Sequence, residues 1–179
     1  MVKRLAGRSE SAHMEQATGR REVQLGGVPL GKARHVCALF RDRDEWFEVL
    51  LPFVREGFQV GDKAFHIIDG RRRAQHLDRL KQSGIDVDEA EGRGQLEVKG
   101  WLEVKGWDDA YLRGGRFDQH TMLSFLEDAL KKGKAQGYRL TRLIAEMEWA
   151  LEDLPGIGDL LEYETRLNYI LPLYDDAVT

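Results

Sequence analysis

Two pairs of residues carry most of the chemistry that this sequence offers. His35 and Cys37 stand two apart in the apolar run His35-Val36-Cys37-Ala38-Leu39-Phe40. Residues two apart on a strand share a face. An imidazole beside a thiol can ligate a metal, line a small-ligand pocket, or simply pack. Two ligands do not make a metal site, and no Cys-x-x-Cys or His-x-x-x-His pattern adds to them. No metal is therefore expected. A buried cysteine with a hydrogen-bonded histidine comes first, and a ligand pocket second. Glu146 and Trp149 follow the apolar stretch at 140–145. Ligand sites in open α/β sheets form at the carboxyl ends of strands, which makes both pocket candidates. A capping glutamate and a core tryptophan account for them equally well. Phe40 and Asp69 end two other strand-like runs and join the candidate set on the same ground. His66 reads as core, and His76 and His120 as solvated helix residues. Arg71-Arg72-Arg73 reads as a solvated turn, since an anion site would need further donors. No nucleophile stands beside a base at a useful spacing, so an enzyme would rest on Glu146 alone.

One stretch approaches a phosphate-binding loop. Gly26-Gly27-Val28-Pro29-Leu30-Gly31-Lys32-Ala33 nearly fits Gly-x-x-x-x-Gly-Lys-Ser/Thr. Ala33 stands where a magnesium-binding hydroxyl belongs. The stretch also precedes the first strong strand, whereas a phosphate loop follows one. The loop after that strand holds Arg41-Asp42-Arg43-Asp44-Glu45, with no glycine and no lysine. Its acids would repel a phosphate. Nucleotide hydrolysis is not expected, and no cofactor is implied.

The elements that must position these residues alternate between strand and helix. Apolar runs predict strands over 35–40, 63–69, 95–99 and 140–145. Asp42 or Asp44 caps a helix carrying Trp46, Phe47, Leu50, Leu51 and Val54, with Pro52 kinking it or marking an end. A second helix runs over about 72–83. Asp118 caps a long amphipathic helix with Met122, Leu123, Phe125, Leu126, Ala129 and Leu130 inward. A last helix spans about 157–171. This order predicts an α/β fold with a mostly parallel sheet and helices on both faces.

Leu96-Glu97-Val98-Lys99-Gly100-Trp101 is repeated at once as Leu102-Glu103-Val104-Lys105-Gly106-Trp107. The identity points to a duplicated short coding stretch. A slip of six residues keeps every strand side chain on its proper face, unlike a slip of one. Either copy therefore fits the same strand slot. The first copy is expected to hold it, with Leu96 and Val98 facing the core and the second copy extruded.

The chain has 179 residues, a net charge of -4 and one cysteine. With 27 basic against 31 acidic residues, no nucleic-acid footprint is expected. No apolar run reaches the roughly 18 residues of a membrane span, and no disulfide can form within the chain. A cytoplasmic location is expected. Residues 1–22 read as a disordered leader, and 23–179 as one domain.

The chain resembles a known family on a set of short motifs. Gly27-Val28-Pro29-Leu30-Gly31 before the 35–40 run resembles the lead-in to the first strand of KaiC-like ATPases. More specifically, the chain resembles the MEDS domain, the methanogen/methylotroph sensory domain related to the dichloromethane-responsive regulator. The matching pieces are His35-Val36-Cys37 with Phe40, Ile67-Ile68-Asp69, Gly84-Ile85-Asp86-Val87, Gly115-Arg116-Phe117-Asp118, Glu146-Met147-Glu148-Trp149-Ala150-Leu151, and Leu161-Glu162-Tyr163-Glu164-Thr165-Arg166-Leu167-Asn168. They cover about residues 27–171. The resemblance implies a RecA/KaiC-like three-layer fold without a working nucleotide loop. It implies a non-catalytic sensor of a small organic ligand, working with a histidine kinase or a transcription regulator. The alternatives are a degenerate ATPase-like enzyme and a protein-interaction module, and a homodimer is open to all three. The sequence departs from the family in its duplicated strand, in having no output module attached, and in ending at Thr179 before the family's last strand is expected.

Overall fold

The computed structural model describes residues 22–31, 34–100, 112–113, 116–151, 155–174 and 177–178. The glycine-rich stretch that approaches a phosphate loop is a hairpin. Val23–Leu25 (β1) pairs antiparallel with Val28–Leu30 (β2) across Gly26 and Gly27. Both glycines have positive φ, 57° and 77°. Two successive left-handed residues suit a two-residue hairpin turn, and glycine supplies them without strain.

Residues 34–40 correct the first strand expected from the sequence. They join no ladder, and Cys37, Ala38 and Leu39 are exposed, Leu39 completely so. The ladders are taken by other segments. Lys63–Ile68 (β3) is paired on both sides, by Leu96–Gly100 (β4) and Thr141–Ala145 (β7), and β7 is paired in turn by Ala177–Val178 (β8). The four run parallel in the order β4-β3-β7-β8. A hairpin of Leu112–Arg113 (β5) and Arg116–Phe117 (β6) stands apart from this sheet.

Asp42 begins the first helix, Arg43–Val60 (α1), by accepting a hydrogen bond from the Glu45 N–H. Pro52 lies inside this helix, which runs on past it. Gly61 ends α1 in the left-handed conformation. The chain then returns through β3 and a 3₁₀ turn at Gly70–Arg72 into Arg73–Gln82 (α2). Val87–Gly92 (α3) is a further short helix that the apolar pattern did not announce, capped by Asp86. Gln119–Ala135 (α4) starts at Asp118, whose carboxylate accepts from the Thr121 N–H at 2.7 Å. Leu160–Ile170 (α5) precedes β8.

Strand alternation sorts the interior into two clusters. Ala64 and Ile68 of β3 pack with Trp46, Phe47, Leu50, Phe53 and Leu80 from α1 and α2. Phe65 and Ile67 pack with Leu126, Leu130, Trp149, Tyr163 and Leu167. Leu96–Gly100, the first five residues of the first copy of the duplicated segment, form β4, with Ala64 opposite Leu96 and His66 opposite Val98. Leu96 and Val98 are buried while Glu97 and Lys99 are half-buried. The second copy lies outside the described residues, as does the proposed leader up to residue 21. At the amino end of the sheet, Arg142 is buried against Asp62 and Glu56 at 3.0 and 2.9 Å. Gly57 makes room for it, since a Cβ there would meet Arg142 Cδ at 2.7 Å. Among the described residues, no helix is long and apolar enough to cross a membrane.

Candidate functional site

The carboxyl ends of β3 and β7 carry a knot of charges. Glu146 follows β7 directly, and its N–H extends the ladder to Ile67 O at 2.8 Å. That backbone bond turns the buried carboxylate toward α1 and the turn after β3. One oxygen pairs with the Arg43 guanidinium, and the other accepts from the Asp69 N–H at 3.3 Å. Asp69 is itself buried and caps the 3₁₀ turn through the Arg71 N–H. The Arg71 guanidinium grips it through two nitrogens and holds its carboxyl below the usual range. Arg72 reaches Glu148 at 2.6 Å and Arg73 reaches Glu91 at 2.5 Å. The arginine triplet is thus a set of structural ion pairs.

Beneath Arg43 lies an aromatic patch. Its guanidinium sits 4.9 Å from the Trp46 ring centroid and 5.5 Å from that of Phe47. Both rings contact His76, which the polar sequence of α2 marked as solvated and which is in fact fully buried. The correction follows from packing: α1 lays its aromatic face over that turn of α2. His76 Nε2 lies 2.9 Å from Nδ1 of His66, which is buried as expected. Burial lowers His76 to about 4, helped by the nearby Arg43 and Arg73 charges. Burial and His76 hold His66 well below its ordinary value. Among the described residues, Arg43 Nε, His66 Nε2 and His76 Nδ1 are buried with no hydrogen-bond partner.

Two of the other four sequence candidates meet elsewhere. His35 and Cys37 face α5, where Glu164 and Asn168 stand one turn apart on one side. Glu164 Oε2 lies 3.0 Å from His35 Nε2 and accepts from the Cys37 thiol at 3.4 Å. Cys37 Sγ is 4.0 Å from His35 Nε2, and His35 Nδ1 is 3.2 Å from Asn168 Oδ1. Cys37 is exposed, against the expectation of a buried thiol. A thiol, an imidazole and an amide in this order have the form of a nucleophile, a base and an orienting group. The electrostatics oppose that use. Partial desolvation of the sulfur pushes the Cys37 thiol up and the Glu164 charge adds to it, so the thiolate is disfavoured. The same carboxylate, hydrogen-bonded to the imidazole, raises His35 against the opposing effect of burial.

The six sequence candidates therefore fall into separate places. Asp69 and Glu146 come together at the strand ends, and His35 and Cys37 come together against α5. Phe40 packs half-buried on the α1 cluster, and Trp149 is buried beside Phe117 and Tyr163 in the other. Glu164, Asn168, Arg43 and the histidine pair stand in the sequence as motif, loop, core or solvated residues and not as site candidates. The regular spacing of Glu164 and Asn168 on a helix was the available signal for two of them. Two surface hollows lie away from both groups. One of about 320 Å³ is lined by His120, Glu127 and Lys131 on α4 with Ile170, and one of about 330 Å³ by Arg55, Phe58, Ile85 and Arg93.

The chain is similar to the transcriptional repressor DcmR of Methylorubrum extorquens, strain DSM 6343 / CIP 106787 / DM4, with 27% identity over 150 residues. The alignment covers 84% of this chain and 51% of the repressor, so the chain spans about half the length of that relative. No solved structure gives a significant match. The sequence profile of the methanogen/methylotroph, DcmR sensory domain matches residues 34–178, from the segment that bears His35 and Cys37 to the last strand. Over that span this chain belongs to the MEDS family of sensory domains.

Proposed function

We propose that the chain is a non-catalytic, cytoplasmic sensory domain that takes a small organic ligand at the carboxyl ends of β3 and β7. The observation that carries this reading is the buried Glu146 carboxylate. It ties α1, through Arg43, to the turn after β3, through the Asp69 N–H. A ligand that competes for either contact shifts α1 against the sheet. The three unpartnered buried nitrogens beside this knot support a polar ligand, because such groups are costly unless something satisfies them. The all-parallel ladder and the family membership support a RecA/KaiC-like three-layer arrangement that has given up nucleotide chemistry. The hairpin turn at Gly26-Gly27, set apart from the sheet, argues against the ATPase-like alternative. The proposed output partner is a transcription regulator, with a histidine kinase or a second copy of the chain as alternatives. Exposed Leu161, Tyr169 and Leu173 support a contact surface.

The test is a thermal-shift screen of the full chain against short-chain halogenated, hydroxylated and carboxylated hydrocarbons, with ATP and magnesium as one arm. A ligand at 100 times its dissociation constant stabilises the native state by about 2.7 kcal/mol. The expected result is a small organic hit that is lost in Glu146→Gln, with no shift from ATP. A shift from ATP abolished by Lys32→Ala would overturn the reading, as would hits unaffected by Glu146→Gln.

A further inference from the structure

We propose that His35, Cys37 and Glu164 form a site for one borderline divalent cation of the Zn²⁺ kind, with Asn168 as the residue that positions the histidine. The site does not depend on the strand-end reading. It uses neither Glu146 nor Asp69.

The donor atoms converge as a metal requires. Among the described residues this is the group of three histidine, cysteine and carboxylate side chains whose ligand atoms all lie within 4.8 Å of one another. Zinc bonds run about 2.0–2.1 Å to imidazole nitrogen, about 2.3 Å to thiolate and about 2.0–2.2 Å to carboxylate. At tetrahedral angles those lengths place N and O about 3.4 Å apart, N and S about 3.6 Å, and O and S about 3.6 Å. The observed separations are 3.0, 4.0 and 3.4 Å in the same order. No edge needs to change by more than about 0.4 Å, which side-chain rotation supplies without moving the backbone.

The tautomer is also set. Asn168 Nδ2 donates to the Glu164 backbone carbonyl one turn back, at 3.1 Å. That bond fixes the amide, so its oxygen faces His35 Nδ1. Nδ1 must then carry a hydrogen, which leaves Nε2 as the metal-binding lone pair. Nε2 is the nitrogen aimed at Glu164 and Cys37. A ligating histidine whose other nitrogen donates to a fixed oxygen is the usual supporting arrangement around a bound ion. Binding displaces the hydrogen between Nε2 and Glu164 and the hydrogen on Cys37 Sγ, and the cation takes their place.

The donor types choose the metal class. One thiolate, one imidazole and one carboxylate suit Zn²⁺ and its neighbours, whereas magnesium and calcium take all-oxygen sets. Three protein ligands leave one position open. Cys37 is exposed and the side chains of His35 and Glu164 keep 10% and 23% of their surface, so that position faces outward. An exogenous donor can reach it.

The test uses the full chain, stripped with a chelator and titrated with Zn²⁺ alone against a competing chromophoric chelator. The expected result is a one-to-one complex. Cys37→Ser, His35→Ala and Glu164→Gln should each weaken it at least 100-fold, and Asn168→Leu by about 10- to 100-fold. His120→Ala, an exposed histidine on α4, should leave it unchanged. With Co²⁺ as the probe, the protein should show a thiolate-to-metal absorption band that Cys37→Ser removes. Cys37 and Asn168 are exposed, so their variants are expected to fold, and circular dichroism checks this. Absence of a one-to-one complex overturns the proposal. So does a Zn²⁺ affinity that any of the three ligand variants leaves within twofold of wild type.

Discussion

The buried His66–His76 pair should make the domain acid-sensitive well above the carboxylate range. His76 is held near 4 in the folded chain by burial and by the charges of Arg43 on α1 and Arg73 on its own helix. Its unfolded value is about 6.5. A depressed histidine favours the neutral form, so its stabilising contribution is full above about 6.5 and is lost as the pH falls toward 4. At 1.36 kcal/mol per unit, the loss from His76 alone is about 3 kcal/mol. His66, also lowered by burial and by His76, adds to it with the same sign. While both take up protons on unfolding, the slope approaches about 2.7 kcal/mol per pH unit. That is large against the roughly 5–15 kcal/mol of a typical domain. Among the described residues, the other shifted groups leave this window clear. His35 is raised, so its contribution is complete below about 6.5 and fades only as the pH rises. Asp69 and Glu97 are lowered, Glu97 to about 2, and lose their contributions only as the pH falls below about 4.5. Urea unfolding at steps from about pH 7 to about pH 4.5 would follow the slope, with the variant His66→Leu/His76→Leu as control. The wild-type midpoint should fall steeply while the double variant stays nearly flat. A flat wild type, or an equal fall in the double variant, would show that the pair does not titrate as argued.

The duplicated strand gives a second expectation. Val98→Asp puts a carboxylate at a buried position opposite His66 and should cost about 3 kcal/mol or more, whereas Val104→Asp should cost under about 0.5 kcal/mol. Equal mild losses in urea unfolding would mean that the two copies exchange in the ladder. Trp149→Ala should cost about 3–5 kcal/mol by the same measurement, because the indole is only 2% exposed and packs on Phe117. A loss below about 1 kcal/mol would place Trp149 in an open pocket instead.

Local signals were enough where an element's reasons are local. The long helix α4 is announced by Asp118 and by apolar residues three and four apart, and it forms where they place it. The strand β4 follows its alternation of Leu96 and Val98 with Glu97 and Lys99. The short helix α3 escaped because six residues are too few for a periodicity to show, although Asp86 followed by Glu89 was a capping signal. His76 was misjudged for a different reason. Its helix is polar in sequence, and what buries His76 is the aromatic face of α1, some thirty residues away in the chain.

The 35–40 segment failed in a way that bears on function. Its apolar composition is that of a strand, and its residues match the family, yet it joins no ladder. Period-two spacing correctly put His35 and Cys37 side by side. What that spacing could not say is what they would face. Had the run been a buried strand, its partners would have been apolar side chains from the helices above the sheet. Outside the ladder, both side chains are free to meet Glu164 and Asn168 on the last helix. The histidine, the thiol and the carboxylate then come from opposite ends of the chain, and no local pattern joins residues 127 or 133 positions apart. Sequences break their own local rules mostly where a site is being built. By that argument the missing strand and the three-donor cluster are one feature: the apolar run gives up its ladder so that its two polar residues can be held against α5.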